Sequence, residues 1–115
     1  MKLILSLSSF MLIIGLSSTV YAGNKEAGRA LVEKNNCNSC HGPDLKSPIA
    51  PAYPKLAGQH ADYLFYALKA YQVNGPQVGR SNAIMAAQAK QFNVTQLKDM
   101  AAYIASLPGD LVIKK

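Results

Sequence analysis

Apolar residues recur at intervals of three and four along three stretches of the chain, which is the spacing of an amphipathic helix. The pattern predicts a first helix over about residues 25–35, with Asn24 as its N-cap. A second helix is predicted from residue 58 or 59 to about 71. A third is predicted to start after Thr95 as its N-cap and to end before Pro108. Apolar and polar positions nowhere alternate convincingly, so the sequence predicts no strands.

The segments between these helices are irregular in pattern. Residues 42–56 contain four prolines, too many for a regular helix or a central strand. Asn74-Gly75-Pro76 is expected to stop the second helix, residues 78–82 are interpreted as a loop, and residues 83–90 are predicted to form a short helical turn. These connections are long for so short a chain, which indicates that they pack on something other than one another.

The N-terminal segment has the pattern of a secretory signal peptide. Lys2 gives it a positive start, residues 3–20 are uncharged and almost all apolar or small, and Val20-Tyr21-Ala22 ends the stretch with small residues where signal peptidase cleaves. Residues 1–22 are therefore interpreted as the signal peptide and residues 23–115 as the mature domain. An uncleaved membrane anchor is the alternative, although the stretch is near the lower limit for a span, roughly 17–25 residues, and contains Ser and Thr.

The predicted mature domain is small and basic. Its 93 residues carry 11 basic and 6 acidic side chains. Small exported domains usually need a disulfide, a metal or a cofactor to reinforce a modest core, and two cysteines three positions apart cannot form long-range disulfides. The basic residues are spread singly except for Lys114-Lys115, without the basic runs interleaved with aromatics that nucleic-acid binding favours.

The most informative stretch is Cys37-Asn38-Ser39-Cys40-His41, which matches C-x-x-C-H, the attachment motif of c-type haem. Residues three and four apart lie on one face of a helical turn. The two thiols can therefore each add across a vinyl group on one edge of a porphyrin. His41 can then place an imidazole nitrogen on the iron from one side.

Two other kinds of site use similar residues. A redox-active disulfide of the thioredoxin type needs strands around it, and none is predicted. A zinc site formed with His60 would need the adjacent Cys40 and His41 to bind one small tetrahedral ion, which is awkward. Haem attachment is favoured because three observations agree with it: the predicted export, the C-x-x-C-H motif, and a domain too small to be stable without reinforcement of its core.

The sequence resembles a class I cytochrome c, nearest the small monohaem type that also forms the halves of diheme cytochromes c. The resemblance implies an all-α cytochrome c fold, with three main helices and long loops packed around one covalently attached haem. It spans nearly the whole mature chain and is carried by residues 26–28, 37–42, 51–59, 80–85 and 101–107.

A six-coordinate haem iron needs a second axial ligand opposite His41, and the mature chain offers three candidates. Met100 lies on the apolar face of the last helix, where core packing is expected. His60 is expected to have a surface or capping role, although bis-His ligation would be possible. Met85 lies before the last helix, where a loop can carry it across the haem, and it coincides with the ligand position that the resemblance implies. His41 and Met85 are therefore the predicted axial pair.

The surroundings of the predicted haem follow partly from the resemblance. His41 is expected to donate its second ring hydrogen to a backbone carbonyl, which fixes its tautomer. The resemblance suggests Pro51 as that acceptor, although Pro51 could equally serve to stiffen the loop. Residues that could line the haem or bind its propionates are Tyr53, Tyr63, Phe65, Tyr66 and Arg80, with ordinary core packing the simpler expectation for the aromatics.

The function that these observations predict is one-electron transfer by a periplasmic carrier, not an enzyme, with one covalently attached haem c. Its partners would be a redox donor and acceptor with acidic docking faces, without nucleic acid or stable membrane insertion. One alternative is a haem-bearing, electron-accepting subunit of a larger dehydrogenase. Others are a haem enzyme or gas sensor with an open sixth site, and a thiol–disulfide oxidoreductase.

Cleavage of the predicted signal peptide can be tested directly. We expect the exported protein to begin at Gly23 in N-terminal sequencing, because Val20 and Ala22 provide the small residues that the peptidase needs. An Ala22→Arg variant is the control and should remain unprocessed. A membrane-bound wild-type chain that retains residues 1–22 would contradict the prediction.

Overall fold

The computed structural model describes residues 22–73 and 79–110, and within them the chain forms five helices and no strand. The prediction of an all-helical domain is therefore confirmed for these residues. In chain order the helices are α1 Lys25–Lys34, α2 Asn38–His41, α3 Ala61–Gln72, α4 Ala83–Ala89 and α5 Val94–Ser106. The short helical turn predicted at 83–90 is α4, whereas α2 was not predicted as a separate helix. The stop predicted at residues 74–76 lies outside the described residues.

Asparagine side chains fix the starts of α1 and α5. Asn24 caps α1 as predicted, and its Oδ1 accepts a hydrogen bond from the backbone N–H of Ala27 at 3.0 Å. The prediction that Thr95 caps the last helix was wrong, because α5 begins after Asn93. Asn93 Oδ1 accepts from the N–H of Gln96, and Gln96 Oε1 accepts from the N–H of Asn93, both at 2.9 Å. This reciprocal capping box satisfies two backbone donors, which a cap at Thr95 would not achieve.

Helices α1 and α5 pack closely against each other, and α3 packs against α5. Gly28 makes the first contact possible, because a Cβ at this position would overlap the backbone of Asp99 in α5. Asp99 is itself buried, and its Oδ1 accepts from the N–H of Asn24 at 2.7 Å. The start of α1 is thereby tied to the middle of α5.

The core between these helices is small, as expected for a domain of this size. Leu97 is fully buried at its centre. Its buried apolar neighbours come from α1, α3, α5 and the loops, and they are Val32, Leu45, Ala57, Leu64, Phe92, Met100, Ala101 and Ile104. The prediction that Met100 packs in the core is confirmed.

Helices long and apolar enough to cross a bilayer are absent from residues 22–73 and 79–110. Residues 1–21 of the predicted signal peptide lie outside the described part of the chain.

The close contact at Gly28 leads to a stability prediction. We expect Gly28→Ala to lower the free energy of unfolding by about 1–3 kcal/mol, because the added methyl group forces α1 away from α5. Helix propensity alone would change stability in the opposite direction, by up to about 1 kcal/mol. Urea unfolding of the purified protein measures the difference.

The matched control is Ala30→Gly on the exposed face of the same helix. It should destabilise by about 1 kcal/mol through helix propensity. A Gly28→Ala variant that is more stable than the wild type would show that the two helices tolerate a side chain between them.

Candidate functional site

The end of α1 positions the cysteine motif. Asn36 adopts a left-handed backbone conformation with φ of 52°, which asparagine tolerates better than most residues. The N–H of Asn36 bonds the carbonyl of Glu33, and the N–H of Cys37 bonds that of Val32, both at 3.2 Å. This pair of bonds is a Schellman turn. It ends α1 and starts α2 directly at Cys37.

Cys37, Cys40 and His41 share the single turn of α2. Cys37 is its N-cap, and the N–H of His41 bonds the Cys37 carbonyl at 3.1 Å. Both cysteines are half-buried free thiols, so the structure contains no disulfide between them. Burial raises the pKa of the Cys37 thiol, which keeps it protonated and disfavours the thiolate that redox-active cysteines use.

The buried imidazole of His41 is held by one hydrogen bond. Its Nδ1 lies 2.9 Å from the carbonyl oxygen of Pro54. Since a carbonyl can only accept, Nδ1 carries the hydrogen, so in the neutral ring Nε2 is the nitrogen with the free lone pair. A backbone carbonyl was the predicted kind of acceptor, but the choice of Pro51 was wrong. Pro51 is exposed and does not line the cavity that His41 faces.

The path of the following loop explains why Pro54 is the acceptor. Leu45 is buried with a left-handed φ of 55°, and its carbonyl accepts from the N–H groups of Leu56 and Ala57 at 2.8 and 3.0 Å. The chain just after Pro54 is thereby pinned beside the start of the loop. Asp44 holds the same turn, and its pKa is lowered mainly by the backbone N–H of Lys46.

A cavity of about 600 Å³ lies beside α2, within the range of roughly 300–1,000 Å³ usual for ligand sites. Cys37, Cys40 and His41 line it together with Met85 from α4. Most of the remaining lining is apolar and includes Leu56, Leu68, Ile84, Phe92, Met100 and Ile104. The predicted cofactor residues of two separate chain segments, the cysteine–histidine turn and α4, therefore meet at one cavity, whereas Pro51 does not line it.

Met85 lies in the first turn of α4. The N-cap of this helix is Asn82, whose Oδ1 accepts from the backbone N–H of Met85 at 2.9 Å. Met100 also lines the cavity, but only 3% of its surface is exposed and it belongs to the α5 core. Among the methionines of the described residues, Met85 is thus the one outside the helical core.

The other candidates from the sequence lie elsewhere or have different roles. His60 is exposed at the N-cap of α3 and does not line the cavity. Tyr53 lines the cavity, with its ring centroid 6.2 Å from that of His41. The candidates that do not line it are Tyr63, Phe65, Tyr66 and Arg80.

Tyr71, at the predicted end of the second helix, also lines the cavity, although it was not among the predicted haem-lining residues. Arg80 lies 5.7 Å from its ring centroid and donates to the Tyr63 hydroxyl at 2.8 Å. The pKa of Arg80 is raised mainly by that hydrogen bond. Helical periodicity predicts that Tyr71 lies on α3. It does not predict that Tyr71 faces the cavity, because the opposite walls are formed by irregular loops whose path has no periodic pattern.

The residues around the cavity fit a covalently bound haem. Two thiols on one helical turn match two porphyrin vinyl groups, the Nε2 lone pair suits iron, and the thioether of Met85 supplies a second, softer donor. No group of three or more His, Cys, Asp and Glu side chains converges on a metal-sized site within residues 22–73 and 79–110. That observation counts against the zinc site considered from the sequence.

Comparison with known proteins agrees with this chemistry. The family model described as cytochrome c matches residues 25–108. The chain is 38% identical to cytochrome c-554(548) of Halomonas halodenitrificans, covering 74% of this chain and 98% of that protein. It is 39% identical to cytochrome c4 of Stutzerimonas stutzeri, covering 91% of this chain but 51% of the relative.

Solved structures give the same relationship. The crystal structure of reduced recombinant cytochrome c4 from Pseudomonas stutzeri superimposes with a TM-score of 0.69 at 35% identity, covering 78% of this chain and 48% of that one. The chain thus spans about half the length of the cytochrome c4 relatives and nearly all of cytochrome c-554(548). The family match, the fold and the cysteine–histidine turn together establish that this chain belongs to the cytochrome c family.

Proposed function

We propose that this chain transfers single electrons between partner proteins by means of one haem c bound through Cys37, Cys40, His41 and Met85. The observation that carries the proposal is the meeting of these four side chains at one largely apolar cavity. When bound, haem c supplies a one-electron iron couple, and the protein supplies ligation, burial and electrostatics.

Cys37 and Cys40 attach the cofactor through thioether bonds. The rigid turn of α2 fixes both sulfurs relative to His41. The imidazole ligates through Nε2, and its hydrogen bond to the Pro54 carbonyl holds the ring orientation and makes the nitrogen a better donor.

Met85 completes the coordination in this proposal. A thioether favours the reduced iron more than a second imidazole does, so the reduction potential is raised. With His41 and Met85 both bound to the iron, oxygen or a substrate would have no open site on the metal. This ligand set suits an electron carrier, whereas the haem enzyme or gas sensor considered from the sequence would need an open site.

The partners and location belong to the same proposal. A net positive charge on the predicted mature chain would steer it towards redox proteins with acidic docking faces. The apolar N-terminal stretch supports export to the periplasm, where covalent attachment and signal cleavage would yield the working protein.

Covalent attachment can be measured by mass spectrometry of the exported protein. We expect one added porphyrin per chain, and its loss in a Cys37→Ser/Cys40→Ser double variant, which lacks both thiols. The control is Ser39→Ala within the same motif, which should keep the added mass. A wild-type chain without porphyrin would refute the proposal.

The sixth ligand is tested by the weak red absorption band that a methionine sulfur gives to ferric haem. We expect Met85→Ala to lose this band and to show a lower reduction potential, since the soft donor is gone. Met100→Leu is the matched control, because Met100 also lines the cavity and its substitution should leave the band in place. If the band survives in Met85→Ala, another residue ligates the iron.

A further inference from the structure

The helix that carries Met85 has little apolar packing of its own. Helix α4 has seven residues, all of them described, and Ala89 is the buried one. Ile84 is 58% exposed. A helix this short is unstable in isolation, and segments with few buried contacts have low local stability. Polar bonds at its two ends therefore matter more here than in α1 or α5.

The bond at the N-terminal end acts directly on Met85. Asn82 accepts the N–H of Met85 through its side chain at 2.9 Å and the N–H of Ala86 through its carbonyl at 2.8 Å. The cap thus fixes the backbone of Met85, which lines the cavity. Asn82 is exposed, so it adds little to the core.

The bonds at the C-terminal end come from another helix. Gln72, in the last turn of α3, donates its side-chain N–H groups to the carbonyls of Ala89 at 2.8 Å and Phe92 at 2.7 Å. Carbonyls at a helix end have no partner within the helix. Phe92 lies in the link between α4 and α5, and the Ala89 carbonyl also accepts from the N–H of Phe92 at 3.2 Å. Gln72 thus ties the end of α4 and this link to α3, which lines the cavity through Leu68 and Tyr71.

We propose that Asn82 and Gln72 are positioning residues that hold Met85 on the haem iron against external ligands. This inference rests on the proposed ligation by His41 and Met85. Both residues act through the backbone of α4, one at each end. Weakening either bond favours a conformation in which Met85 leaves the iron while α1, α3 and α5 stay folded. An external base then binds at the vacated position.

The test is a titration of the ferric holoprotein with imidazole at fixed neutral pH, following loss of the red methionine band. We expect Asn82→Ala to bind imidazole between about twofold and thirtyfold more tightly than the wild type, the range that loss of an N-cap gives. Gln72→Ala should have an effect of the same direction. Asn82→Ser, which keeps a capping oxygen, should stay close to the wild type.

The chain offers matched controls for both substitutions. Asn93→Ala removes the cap of α5, and Gln59→Ala removes a glutamine whose side chain accepts from the N–H of His60, at the opposite end of α3 from Gln72. Asn93→Ala should lower the urea midpoint of unfolding, yet both controls should leave imidazole affinity within about twofold of the wild type. A substitution at Asn82 that merely weakened the fold would behave like Asn93→Ala.

The outcomes separate this inference from the proposed function. If Met85→Ala loses the red band but the variants at Asn82 and Gln72 bind imidazole like the wild type, the positioning role is wrong and the ligand set stands. If the band survives Met85→Ala, the ligand set is wrong and the inference falls with it. Should Asn82→Ala fail to fold, Asn82→Gly and Asn82→Thr keep the test open. We expect both variants to bind imidazole more tightly than Asn82→Ser and less tightly than Gln72→Ala. Equal imidazole affinities in all the Asn82 variants would show that Asn82 does not position Met85.

Discussion

The hydrogen bond from His41 Nδ1 to the Pro54 carbonyl is the interaction on which the site depends. It fixes the tautomer of a buried ring and leaves its other nitrogen free to bind a metal. The bond joins two segments that are 13 residues apart in the chain. The cysteine turn and the proline-rich loop must therefore fold together, and neither could orient the imidazole alone.

Different helices form the scaffold and the walls of the cavity. Helices α1 and α5, in contact at Gly28 and Asp99, form a scaffold whose close packing leaves no room for adjustment. The residues that face the cavity are instead presented by the one-turn α2, the loops and the short α4. Close packing of α1 on α5 thus supports the attachment turn, whereas the second donor is carried by the short α4, whose buried residue is Ala89.

Local sequence signals predicted a large part of the fold and the site. The cysteine–histidine motif and the start of α1 depend on residues within a few positions of each other, and those predictions agree with the structure. Thr95 and Pro51 were wrong for different reasons. At Thr95 a stronger cap two residues earlier had been overlooked, since Asn93 and Gln96 form a capping box that is readable in the sequence. Pro51 was wrong because the path of the proline-rich loop decides which carbonyl reaches the His41 ring.

That loop path could not be derived from spacing. It is set by the left-handed conformation of Leu45 and the bonds that its carbonyl accepts from Leu56 and Ala57. A buried leucine with positive φ contradicts local preference, so only tertiary packing explains it. For the same reason the place of Tyr71 on the cavity wall needed the structure.

The size of the cavity has a consequence for biogenesis. A domain this small that leaves a cavity of about 600 Å³ beside α2 has only a modest packed core of its own. Any group that binds the folded chain alone adds its binding free energy to folding. Attachment of the cofactor would therefore stabilise the fold, and chains that lack it would be more open to local unfolding and proteolysis.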